Sequence, residues 1–221
     1  MESDIAANIS RILEKIREKA SLSGRKVADI RLMAVTKTVE DARIRDAVQA
    51  GIKLIGENYV QETARKKDLL EQQGTPFEWH MIGRLQTNKV KDTLSLFSVV
   101  HSVDSLHLAE TLSKRASSSL QVLLETNVSG EAAKAGFAPE ALPEALNAIR
   151  GLPNLRVEGL MTIAPLVSDL EQARPFFRRL REMRDQLGLA ELSMGMTNDF
   201  EVAVEEGATL VRIGRAIFGE R

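Results

Sequence analysis

The chain has 221 residues, 30 Lys and Arg against 31 Asp and Glu, and a formal net charge of -1. Charge this balanced, with 4% aromatic residues, gives no support for a general nucleic-acid or anionic-membrane partner. There is no cysteine, which excludes disulfides, thiolate metal sites and cysteine nucleophiles, and 43% hydrophobic with 28% charged residues is the composition of a soluble globular chain.

Residues 4–20 predict an amphipathic helix, because Ile5, Ile9, Ile12, Leu13 and Ile16 recur at helical spacing. Ser3 or Asp4 can cap its start, and residues 21–24 break it. Charges at Glu2, Asp4, Arg11, Glu14 and Lys15 leave no apolar stretch for a signal peptide. No later run approaches a membrane span. The expected location is the cytoplasm.

Short apolar runs then alternate with longer amphipathic stretches. Runs at 31–37, 53–58, 78–83, 98–103, 121–128, 156–164, 191–196 and 209–213 predict eight strands. The stretches 40–50, 59–73, 87–96, 105–117, 139–150, 175–187 and 200–206 predict helices. Gly51, Gly74, Gly151, Gly188 and Gly207 stand where left-handed helix stops are expected, and Pro139 and Pro175 fit first helical turns. Arg65-Lys66-Lys67 reads as a solvated helix face, and 217–220 as a partly apolar tail. Strand–helix alternation implies right-handed βαβ units and a parallel sheet. The predicted fold class is α/β: a single (β/α)8 TIM-type barrel with an extra N-terminal helix, one domain over 1–221. An open doubly wound sheet is the alternative that periodicity does not separate from it.

A barrel carries its chemistry at the strand C-termini. Lys37 ends the first strand, in Met33-Ala34-Val35-Thr36-Lys37. In a barrel mouth, desolvation would lower its pKa and let the amine attack an aldehyde; spacing alone favours a lysine snorkelling to water. Asn58, ending the second strand, can bond a ligand or cap the next helix. His80, taken alone, and His101 and His107 read as ordinary histidines. No spacing suggests a metal site. No Gly-x-Ser-x-Gly, Walker A or Gly-x-Gly-x-x-Gly occurs. Residues 193–199 lead into a helix with hydroxyl and small side chains, and Gly214 lets backbone approach a bound group. Together they suggest an anion site after strands seven and eight, with a helix cap and a turn glycine as the bland reading.

At these residues the sequence closely resembles the pyridoxal-phosphate homeostasis proteins, along nearly its whole length. The resemblance rests on Ala34-Val35-Thr36-Lys37, Gly56-Glu57-Asn58-Tyr59-Val60-Gln61-Glu62, and Trp79-His80-Met81-Ile82-Gly83-Arg84-Leu85-Gln86-Thr87-Asn88-Lys89. It continues through Asn127–Glu131, Gly159–Pro165, Leu192–Met196 and Arg212–Gly219. It implies a barrel like that of the alanine racemase N-terminal domain, with pyridoxal 5′-phosphate as cofactor held in a Schiff base on Lys37. It further implies that Arg212 faces the pyridine nitrogen. Thr197 (usually serine) and the Gly214-Arg215 turn would hold the phosphate, and Asn58, His80 and Met161 would lie near the ring. Arg215 stands where some members have threonine, which leaves only the backbone N–H.

Arginine stays protonated, so it donates to the ring nitrogen without protonating it, and the cofactor is then a poor electron sink. Related racemases draw a second acid/base, a tyrosine, from another domain of a partner subunit; the barrel uses up this sequence, and its only tyrosine is Tyr59. The expected function is therefore a binding protein for vitamin B6 homeostasis without strong turnover. Its partners would be the cofactor and, transiently, apo-forms of enzymes that use it, and it would be a monomer. The alternatives are a low-activity amino-acid racemase and a cofactor-free Schiff-base aldolase or phosphosugar isomerase.

Overall fold

The computed structural model describes residues 4–71 and 76–219. Eight parallel strands close into a barrel in sequence order: β1 (Arg31–Val35), β2 (Leu54–Glu57), β3 (Glu78–Met81), β4 (Val99–Val103), β5 (Leu120–Glu125), β6 (Leu155–Met161), β7 (Glu191–Ser193) and β8 (Leu210–Ile213). The barrel shuts where Met33 pairs with Arg212 and Ala34 with Ile213. The open doubly wound alternative is thereby excluded.

Outside the barrel run α1 (Ile5–Leu22), α2 (Asp41–Gln49), α3 (Val60–Glu71), α4 (Val90–Leu96), α5 (Leu106–Arg115), α6 (Leu142–Arg150), α7 (Arg174–Gln186), α8 (Phe200–Glu205) and α9 (Arg215–Phe218). The extra helix α1 has a structural cause. Both α8 and α9 are short, and α1 packs against them and α2, burying Ile5, Ile9, Ile12 and Ile16. Each burial is worth about 1.5–3 kcal/mol. Asp4 caps α1 by accepting the Ala7 N–H at 3.0 Å. No helix among the described residues is long and apolar enough to cross a membrane.

Side chains alternate across each strand. Leu32, Ala34, Val211 and Ile213 join the outer core under the helices. Met33, Leu54 and Leu210 form a separate cluster with Ile82, and Val99, Leu123 and Met161 form another; these fill the interior. Gly56 is small because a Cβ there would stand 2.5 Å from Met33 Sδ.

Three sequence expectations are corrected. The strands stop short of their apolar runs, β1 at Val35 and β6 at Met161: the Thr36 N–H still bonds Gly56 O and the Thr162 N–H Ser193 O, and the chain then bends into the mouth loops. Gly51, Gly188 and Gly207 have positive φ, but Gly151 has φ -77°, because α6 closes through a tightened turn, Gly151 N–H to Ala148 O at 3.2 Å. The expected tail begins inside α9, too short to show a helical period. Gly74 lies outside the described residues.

Candidate functional site

A cleft of about 350 Å³ opens where the strands end. Lys37 and Asn58 enter it just past β1 and β2, Ile82 past β3, residues 163–166 past β6, residues 196–199 past β7, and Gly214 and Arg215 past β8, while Val35 and Arg212 rise from the interior. Six residues picked from the sequence thus meet in one place: Lys37, Asn58, Thr197, Arg212, Gly214 and Arg215. His80 and Met161 do not line the cleft. Met161 is packed in the interior with Val99 and Leu123, and His80 is 3% exposed within the barrel.

Lys37 is half-buried, and no carboxylate or hydrogen-bond acceptor contacts its ammonium among the described residues. It is the second residue of a β-turn closed by the Val39 N–H on Thr36 O at 3.0 Å. The third residue, Thr38, has φ 60°, a conformation that costs a β-branched residue about 1–3 kcal/mol. Behind this turn lies a cluster that the sequence reading missed. Lys66 was read as solvated and is 0% exposed, because α3 turns it inward onto β1 and β2. Its Nζ donates to Thr36 O, Glu57 Oε1 and Glu62 Oε1, each at 2.7 Å. Thr36 Oγ1 donates to Glu57 Oε1 at 2.6 Å, and the Thr38 N–H to Glu62 Oε1 at 2.7 Å. Burial pushes the Glu57 carboxyl up, against Lys66 and Thr36, which pull it down. The available signal was the Glu62–Lys66 spacing of one helical turn.

Arg212 is also buried. Its guanidinium donates to Ser193 Oγ at 2.7 Å and to Thr162 O at 2.8 Å. Burial pulls its pKa down to about 10, with Asp199 and Glu125 holding it up, so it remains a cation at neutral pH. Ser193 continues the chain: its Oγ lies 2.9 Å from His101 Nδ1, and His101 Nε2 lies 2.9 Å from His80 Nδ1. Burial lowers His80 to about 4 and His101 well below its ordinary value, so both are neutral. Arg212 already donates to Ser193 Oγ, and the Ser193 hydroxyl either donates to His101 Nδ1 or accepts from it, according to the tautomer; His80 Nε2 has no hydrogen-bond partner among the described residues and lies 3.5 Å from Glu78 Oε2. His101, expected to be an ordinary histidine, therefore belongs to the support of Arg212.

On the anion side, the Ala216 N–H approaches Thr197 Oγ1 at 3.4 Å, and Asp199 accepts the Met196 N–H at 2.6 Å, which folds the 196–199 loop. Burial pushes the Asp199 carboxyl up, which eases its presence beside an anion. Among the described residues no group of three His, Asp or Glu could hold a metal. The donor set suits a small ring carrying an aldehyde and an anionic group: an unpaired amine, a buried guanidinium, a hydroxyl and a glycine turn. The volume is at the small end of ligand pockets, roughly 300–1,000 Å³.

Comparison with known proteins agrees with this geometry. The family described as "Alanine racemase, N-terminal domain" matches residues 7–221. A pyridoxal phosphate homeostasis protein of Aquifex aeolicus is 46% identical over 222 residues, covering 96% of each chain. An unknown protein from Bifidobacterium adolescentis superposes with a TM-score of 0.92 at 37% identity, covering 97% of this chain and 94% of that one. PipY of Synechococcus elongatus, solved with PLP bound, gives a TM-score of 0.80 at 36% identity, covering 92% of this chain and all of that one. By near-full-length identity and by fold, the chain belongs to the pyridoxal phosphate homeostasis protein family.

Proposed function

We propose that this protein binds pyridoxal 5′-phosphate as a Schiff base on Lys37 and serves intracellular vitamin B6 homeostasis as a carrier and buffer of the cofactor. The carrying observation is the unpaired, half-buried Lys37 sharing one cleft with Thr197, Arg212 and the Gly214 turn. The PLP-bound relative supports it. The cofactor supplies an aldehyde, whose carbon the Lys37 amine attacks with loss of water. In this reading Arg212 donates to the ring nitrogen, Thr197 and the backbone N–H groups at 214–216 take the phosphate, and Asn58 lies beside the ring. His80 acts from beneath, through His101 and Ser193, and Met161 supports the floor.

Carrier is preferred to catalyst because a charged Arg212 donates to the ring without giving up its proton, which leaves the cofactor a poor electron sink. We further read 1–221 as one barrel domain, acting as a cytoplasmic monomer whose transient partners are apo-enzymes that take up the cofactor. The test is borohydride reduction of the purified protein followed by peptide mass mapping. A pyridoxyl adduct on Lys37, absent in Lys37→Ala together with the visible absorbance, is expected. A sugar adduct, or no adduct after adding the cofactor, would overturn the reading.

A further inference from the structure

Two fully buried charges, Lys66 and Glu57, lie directly behind the residue that carries the chemistry. Apolar side chains of similar volume often fill such space at no loss of stability. Glu57 Oε2 has no partner among the described residues, so the cluster is not arranged for its own hydrogen bonding. What the cluster does reach is backbone. Lys66 grips the carbonyl before Lys37, and Glu62 grips the N–H after it. That turn contains Thr38 at φ 60°, so without restraint it would relax toward negative φ and swing Lys37.

We propose that Lys66 is a positioning residue: with Glu57 and Glu62 it locks the strained turn at 36–39 and thereby aims the Lys37 amine into the cleft. The proposal rests on the reading of that cleft as a pyridoxal phosphate site. Lys66 spends its three donors on three acceptors, one of them a neutral carbonyl. Its ammonium is therefore held by two carboxylates and one main-chain carbonyl, with no donor left for the cleft, where a second amine would compete with Lys37 for the aldehyde.

The test compares Lys66→Met, Lys66→Arg and Glu62→Gln with the wild type, each freed of cofactor by hydroxylamine. Two quantities are read: the rate at which added pyridoxal phosphate acquires the visible absorbance of the Lys37-linked form, and deuterium exchange of the Thr38 amide without cofactor. Lys66→Met should slow uptake by about ten- to a hundredfold, the scale of a misplaced reacting group, and speed exchange at Thr38. Lys66→Arg should recover part of both. Adding Thr38→Gly to Lys66→Met should also restore part of the rate, because glycine accepts positive φ. A general folding defect would not respond to that change. Unaltered uptake and exchange in folded Lys66→Met, or a loss that Thr38→Gly does not relieve, would overturn the proposal. Should Lys66→Met not fold, Glu62→Gln decides, since Glu62 is partly exposed: unchanged Thr38 exchange there overturns it. A wild type that never takes up the cofactor would refute the functional reading, while Thr38 exchange would still decide how the turn is held.

Discussion

Lowering the pH from 7 to 4 should weaken the fold through the histidine pair inside the barrel, and the structure sets the scale. His80 has an ordinary value of 6.5 and is lowered to about 4 by burial, so the folded state binds its proton later than the unfolded chain does. The stability that neutral His80 supports is present in full above about pH 6.5 and is lost as pH falls toward 4. At about 1.4 kcal/mol for each unit of separation, the loss is about 3 kcal/mol. His101 is pushed the same way and adds to it. Glu57, Glu125 and Asp199 are raised by burial and act with the opposite sign, so the absolute acid response is a mixture. A paired comparison removes them. The double variant His80→Gln, His101→Gln keeps amide donors and acceptors but does not titrate. Both proteins are unfolded in urea at constant ionic strength. Between pH 7 and pH 4 the wild type should lose more stability than the double variant does, by about 3 kcal/mol or more. Parallel curves would mean that the pair is hydrated or already charged, and the reading of His80 and His101 as a buried neutral pair would be wrong.

Arg212→Gln removes two charge-assisted donations, to Ser193 and Thr162, and should weaken cofactor affinity by about tenfold to a hundredfold. A fluorescence titration with unchanged affinity and spectrum would place Arg212 outside the ring contact. Gly214→Val should hinder the approach of phosphate to the turn after β8; full retention of cofactor through gel filtration would exclude that turn as the anion site. Gly159→Ala would place a Cβ 2.0 Å from Glu191 O, so β6 and β7 must separate, at a cost of about 1–3 kcal/mol or more in chemical denaturation. An unaffected midpoint would contradict the Gly159–Glu191 register.

The fold was readable because it repeats. Eight runs alternating with amphipathic stretches leave few topologies, and the Val/Ile/Leu-rich runs at 31–37 and 209–213 become the neighbours that close the ring. Run length, however, overshoots the regular ladder where the chain bends into the mouth, which is why Lys37 stands beyond β1 instead of ending it. The cleft was readable from the ordered motifs of the resemblance, which assigned Lys37 and the Gly214 turn; spacing alone left a snorkelling lysine and a turn glycine as the bland readings. Lys66 and His101 were misread for one reason: each is common on a surface or in an ordinary core. Their roles come from partners distant in sequence, Thr36 O for Lys66 and Ser193 for His101, and no local pattern encodes those contacts. The resemblance placed His80 at the ring, while the barrel puts it below, two hydrogen bonds from Ser193.

The two buried cations near the site are neutralised in different ways, and that difference bears on function. Burying a cation costs several kcal/mol unless partners offset it. Lys66 meets two carboxylates directly, so its field is spent inside the cluster. Arg212 contacts only a hydroxyl and a carbonyl; Asp199 and Glu125 act on it through space, and no carboxylate touches it among the described residues. Its positive potential is thus left open to the cleft that it lines. A barrel selected for stability alone would not keep an arginine so paired. A barrel that must hold a phosphorylated ring, and release it, gains from a cation strong enough to attract the ligand but fixed by neutral groups. Those groups neither titrate near neutral pH nor compete with the ligand as a carboxylate would.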